Sequence, residues 1–198
     1  MNQQVLIKQI YKSFKDVKLE DGVGLWEGQG LDDYCTVEEC RELRERDEKD
    51  DWSRISVLDL YKCSSSLSFF DAKGMRFHLA QFLLFDLDVF EKEEDELHKR
   101  GKLETSFCPD VYFHLTHQLE EDYSMKRFSA LNNEQVQCVI SYLNYQIQEK
   151  EEYYKEFGVK SQKERDEYYK EIEDAIAIWK TKIKGKYNEI FNLGNTKR

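Results

Sequence analysis

The chain has 198 residues, a formal net charge of −10, 35% charged residues and one proline. That length can bury a core without disulfides or metals. The negative charge opposes non-specific binding to nucleic acid and to anionic membranes, because phosphates are repelled.

Val5, Leu6, Ile10 and Phe14 recur at helical spacing, which predicts a first helix over 3–15. Residues 1–14 carry lysines at helical spacing and no long apolar run, so no signal peptide is expected there. Gly22, Gly24, Gly28 and Gly30 surround Trp26, which predicts a loop over 20–34 pinned by the indole. Their spacing fits neither a dinucleotide fingerprint nor a P-loop. Thr36 and Glu39 form a capping box, and 38–51 reads as a solvated helix face with charges at i,i+4 spacing. Ser53 is the expected cap of a short helix over 54–63, and the serines at 64–66 a break before the centre of the chain.

From Met75 to Phe90 the polar residues are Arg76, His78, Gln81, Asp86 and Asp88. A helix apolar on most sides is a buried one, and this stretch is too short for a membrane span. The Asp71-Ala72-Lys73-Gly74 sequence before it reads as a turn. The run from Glu91 to Glu96 after it is the most acidic in the chain; it either extends the central helix into solvent or forms an exposed loop, closed by Gly101. Pro109 opens a helical or extended segment over 110–119, and 120–130 reads as irregular. Asn132 and Gln135 then cap a helix with Val136, Val139, Ile140, Leu143 and Ile147 as its apolar stripe, running to about Phe157 and Gly158. Ser161 and Glu164 cap a last helix, with Tyr168, Ile172, Ala175, Ile176, Trp179, Ile183, Tyr187 and Ile190 on one face. The expected fold is mainly α: one helical domain over 1–198, with a central buried helix and a C-terminal helical hairpin.

LSFFDAKGMRFHLAQFLLFDLD (67–88), the earlier Asp51-Trp52, FHLT from Phe113 to Thr116 and ALNNEQVQCVISYL from Ala130 to Leu143 stand in a characteristic order. Together they resemble a bacterial family of unknown function with the pattern LSFLDPEGFRFYLPAFL … FHLT … LTxEQxxAVxxFL. The resemblance covers about 5–147 and leaves 148–198 as a C-terminal helical extension. Phe70, His78 and Ala80 stand where the pattern has leucine, tyrosine and proline. Ala80 lets the helix run straight where a proline would start or kink it. The resemblance implies a helical bacterial protein and brings no reaction with it.

His114 and His117 lie one helical turn apart, with Glu120, Glu121 and Cys108 nearby. This is the most metal-like cluster in the chain, but it lacks the glutamate beside the first histidine that a zincin needs, so it reads first as structural. His78, Gln81 and Asp88 share a face of the central helix, as a polar groove or a hydrated seam. No serine has the context of a nucleophile elbow. Cys35 and Cys40 sit among acids, which makes them poor nucleophiles. The five cysteines are scattered without a CxxC, as in a cytoplasmic protein with reduced thiols, Cys63 and Cys138 being small core residues. No cofactor is expected.

Size, acidity and the lack of a catalytic motif together favour a cytoplasmic protein that binds another protein, of the immunity type that neutralises a toxin or effector. The expected binding residues are Glu91, Glu93, Glu94, Asp95 and Glu96, facing a basic partner. The alternatives are a metal-dependent or hydrolytic enzyme using His114 and His117, and an acidic nucleic-acid mimic or regulator. No membrane or direct nucleic-acid contact is expected, and sequence leaves the oligomeric state open. Lys180, Lys182, Lys184, Lys186, Lys197 and Arg198 make the C-terminus basic, suited to head-to-tail self-association or an acidic surface.

Overall fold

The helix at the centre, α5 (Ala72–Asp86), is inside along its length: from Gly74 to Phe85 every residue but Arg76 is buried. The computed structural model describes residues 2–103, 109–159 and 161–180. Among them are ten α-helices, two 3₁₀ turns and no strand. Asp71, expected within a turn, is the N-cap of α5; its carboxylate accepts from Gly74 N at 2.8 Å and Val23 N at 3.0 Å. Gly74 lies inside the first turn. A Cβ there would collide with the Val23 carbonyl oxygen, so the close approach of a second strand of chain requires the glycine. Ala80 is fully buried and α5 passes through it unbroken.

The other helices wrap this one. α1 (Gln3–Ser13) buries Leu6 and Ile10 and packs on α5 and on α9 (Asn133–Phe157). A 3₁₀ turn at Trp52–Arg54 lies against α5, and the Trp52 indole donates to Phe14 O at 2.7 Å, tying down the end of α1. α7 (Val111–Thr116) and α8 (Asp122–Arg127) cover another side. α9 begins at the Asn132–Gln135 capping box and stops at Gly158, whose φ of +78° suits glycine. α10 (Gln162–Ile178) starts at the Ser161 cap and folds back on α9 and α7. Its Ile172, Ala175 and Ile176, with Trp179 beyond it, join the same core as Leu6 and Phe82. The Trp179 indole donates to Leu115 O at 2.9 Å. The domain is thus a single helical one with a C-terminal hairpin. None of the described helices is long and apolar enough to cross a membrane.

Several local expectations change. The glycine-rich stretch over 20–34 holds a helix, α2 (Leu25–Asp32). Its cap comes from far along the chain: the buried Asp47 carboxylate accepts from Trp26 N at 2.7 Å and Glu27 N at 3.4 Å. Gly28 faces Ser66 and Phe70, and Gly30 faces Leu43, so both glycines serve close packing within a helix. α3 (Val37–Arg44) has the expected Thr36–Glu39 box but ends early. Arg44 turns inward to pair with Glu27 at 2.6 Å, and Asp47 follows it in, so 38–51 is not one solvated face. Asp51 caps the 3₁₀ turn, and Ser56, not Ser53, caps α4 (Val57–Lys62). The stretch over 120–130, expected to be irregular, contains α8, which buries Met125 and Arg127. Ile183, Tyr187, Ile190 and the basic residues at 182–198 lie outside the described residues, as does Cys108.

Burial this complete sets a stability prediction. Phe82→Ala and Leu83→Ala each remove a side chain that is at most 1% exposed and should cost about 2–5 kcal/mol in urea unfolding. Losses below about 1 kcal/mol at both positions would contradict the placement of α5.

Candidate functional site

The acidic run becomes a helix of its own. α5 ends at Asp86, and Asp88 takes a left-handed conformation, φ +53°, that turns the chain out of the core. α6 (Glu91–Lys99) follows and has no buried residue. No side chain caps its start, but Glu91, Glu93 and Glu94 fill the first turn and His98 and Lys99 the last. That order of charge suits the helix dipole. Gly101, at φ +64°, closes the helix: Gly101 N donates to His98 O and Lys102 N to Leu97 O, both at 2.9 Å.

Among the described residues, two things hold α6 to the domain. Phe90 and Leu97 pack, half-buried, against the core. Glu94 turns inward and accepts from the Tyr61 hydroxyl at 3.1 Å, its pKa raised by partial burial. Of the five expected binding residues, Glu94 is therefore an attachment to the domain. Glu91, Glu93, Asp95 and Glu96 are exposed. Glu91, Glu93 and Asp95 form no ion pair with another described residue, and Glu96 meets Arg100 at 3.4 Å where both are largely solvated. A pair that exposed contributes little.

The polar residues of α5 do not form a groove. His78 is fully buried, its ring stacked on Phe70 at 4.3 Å and edge-on to Phe77 at 5.0 Å. Its Nδ1 lies 2.7 Å from Gly74 O, which places the proton on Nδ1, and Nε2 has no partner among the described residues. Burial pushes its pKa down to about 4. Gln81 donates to Ile55 O at 2.7 Å. Asp88 has left the helix and is exposed, so the three residues share no face. The acid that enters the interior is Asp86, which accepts from the Tyr142 hydroxyl at 2.5 Å and Gln146 Nε2 at 2.7 Å. Burial raises its pKa. Its partners stand four residues apart on α9, a spacing legible in the sequence, but nothing local says that they face Asp86.

His114 and His117 are separated by the end of α7. His117 is the C-cap, exposed, with its ring over Phe113 at 4.7 Å. His114 is half-buried and its Nδ1 lies 3.1 Å from Arg127 Nη1, which donates to it. Burial first and the guanidinium second push its pKa down to about 4. A neighbouring guanidinium also disfavours a second cation at that ring. Among the described residues, no group of three or more His, Cys, Asp or Glu side chains is arranged to hold a metal. Asp47 sits at the floor of a surface cleft beside Trp26, Arg46 and Arg54, with its pKa raised to about 6 by burial. Both of its oxygens face α2 amides, so it works as a helix cap.

The sequence matches DUF6714, a family of unknown function, over residues 2–176. The chain belongs to this family. No curated protein and no solved structure matches it. The DUF6714 match extends beyond 5–147, the span of the resemblance, and takes in α9 and nearly all of α10. Those helices bury Tyr142, Leu143 and Ile172 in the common core, which is a physical reason for them to belong to the family's domain.

The buried histidine gives a pH prediction. The folded-state pKa of His78 is about 4, below its ordinary 6.5. The unfolded chain therefore takes up the proton first on acidification, and stability falls as the pH drops from 6.5 towards 4. Asp47 opposes this, because a raised carboxyl pKa makes the fold bind a proton more readily over much of the same range. The comparison that isolates the histidine is wild type against His78→Phe. The variant should be less acid-sensitive between these limits, by up to about 3 kcal/mol in urea unfolding at a series of pH values. Parallel pH profiles would contradict the neutral, buried assignment.

Proposed function

We propose that this DUF6714 protein acts by binding another protein, as an immunity-type protein that neutralises a basic toxin or effector in the bacterial cytoplasm. The observation that supports the reading is α6. Glu91, Glu93, Asp95 and Glu96 project from a helix that contributes no buried residue, so the core makes no use of them. Clustered like charge on one short helix raises the rate of encounter with a basic surface and makes it salt-sensitive. A partner that ordinarily binds nucleic acid would meet the same carboxylates, so an acidic mimic is a special case of this reading. The competing reading is a hydrolytic or metal-dependent enzyme built on His114 and His117. It has to contend with Arg127 against one ring and solvent around the other.

Affinity capture from the native host, followed by mass spectrometry, tests the proposal. Wild-type protein should retain a basic protein at low salt. A variant with Glu91, Glu93 and Glu96 replaced by Gln and Asp95 by Asn should retain much less of it, while the global unfolding free energy of the domain changes by under about 0.5 kcal/mol. His114→Ala with His117→Ala should leave capture intact. Equal capture by wild type and the α6 variant would count against the binding role. Loss of activity in a folded double-histidine variant would favour the enzyme.

A further inference from the structure

The corner between α2 and α3 holds a residue that the fold has little reason to choose. Tyr34 is 96% exposed and sits at φ +57°, in the left-handed region. Glycine or asparagine adopts that conformation with less strain, and it is common where a helix stops. The backbone uses it in that way: Tyr34 N donates to Leu31 O and Cys35 N to Gly30 O as α2 ends. The tyrosine side chain makes no ring contact or hydrogen bond with another described residue. Leu31, three residues before it, is 41% exposed, and Val37, three residues after it, is 64% exposed. An aromatic and two aliphatic side chains are therefore exposed within one short corner of the chain. Asp33 beside Tyr34, Glu38 beside Val37 and Glu42 one turn on are exposed in the same stretch, with Arg41 as the opposing charge, paired to Glu38 at 3.7 Å.

We infer that this corner is a docking surface for a protein segment with an apolar anchor flanked by lysines or arginines. Tyrosine is enriched among the residues that dominate binding energy, because it brings a large rigid surface at low entropic cost. Asp16, Glu20, Asp88 and Gln118 share the left-handed backbone, but among the described residues Tyr34 is the aromatic one, and backbone strain at bulky residues clusters at functional sites. The acidic rim selects the sign of the partner's charge. It also disfavours a symmetric contact with a second copy of this chain, which would bring both rims of a protein of net charge −10 together. This inference rests on the reading that the protein works by binding another protein. It places the apolar anchor away from α6.

The test uses isotopically labelled full-length protein and short synthetic peptides. One alternates lysine with leucine, a second keeps the lysines and replaces leucine with serine, and a third replaces lysine with glutamate. The lysine–leucine peptide should shift amide resonances over 31–38, less so at high salt, and the other two should bind at least about tenfold more weakly. Tyr34→Gly is the deciding variant. Glycine accepts the left-handed backbone, so the protein should fold at least as stably as wild type while binding at this corner weakens about tenfold or more. Several results would overturn the inference: a stability loss in Tyr34→Gly, equal binding of the lysine–serine peptide, or self-association of the free protein abolished by Tyr34→Gly. Shifts confined to 91–99 would overturn it too, while leaving the α6 reading standing. Loss of capture by the α6 variant alongside an intact response at 31–38 would separate the two the other way.

Discussion

A helix buried on nearly all sides must be enclosed by the rest of its chain, and enclosing α5 is the constraint from which this structure follows. Its apolar residues need neighbours in every direction, supplied by α1, the Trp52 turn, α7 and α8. Its polar atoms need answers inside the protein. His78 Nδ1 is answered by the Gly74 carbonyl one turn back and Gln81 Nε2 by the Ile55 carbonyl, while His78 Nε2 and Gln81 Oε1 have no partner among the described residues. Asp86, the last residue of α5, is answered by Tyr142 and Gln146 of α9. The last of these joins the central helix to the C-terminal hairpin, and Trp179 repeats the device by bonding to Leu115. Indoles and phenols bonded to residues at or near the ends of other helices thus register elements whose contacts are otherwise non-directional.

The same constraint explains why α6 stands apart. Leu87 is the last buried residue of the segment, and the left-handed Asp88 redirects the chain to the surface. The acidic helix that follows is stabilised by its own charge order and the Gly101 cap, and among the described residues one side-chain hydrogen bond and two half-buried side chains attach it. A surface element so lightly engaged can carry charge for an external purpose without straining the core. The proposed binding role follows from that division between a closed centre and a dispensable edge.

How much of this was legible in the sequence depends on how local the physics was. Thr36–Glu39, Asn132–Gln135, Ser161 and Gly158 mark helix ends through contacts within four residues, and each was readable. The central helix was readable because burial on all sides leaves a nearly unbroken apolar run. α2 was not: its N-terminus is capped by Asp47, twenty residues downstream, and its glycines pack against side chains that sequence order does not bring near. The end of α5 was missed because Leu87 and Val89 continue the apolar pattern past the point where the backbone turns. That misplaced Asp88 and hid Asp86. His114 and His117 looked paired because the stop of α7 at Thr116 has no strong local signal.

Native-state amide hydrogen exchange tests the central claim, that α5 carries the fold and α6 is spared from it, most directly. Amides of α5 from Phe77 to Leu84 should exchange only through global unfolding, with the full free energy of unfolding as their protection. Amides of α6 from Asp95 to Lys99 should exchange through a local opening of much lower free energy, unchanged by destabilising substitutions in the core. Protection of α6 equal to that of α5, falling in step with it when Phe82 is truncated, would show that the acidic helix is part of the cooperative core and would contradict the account.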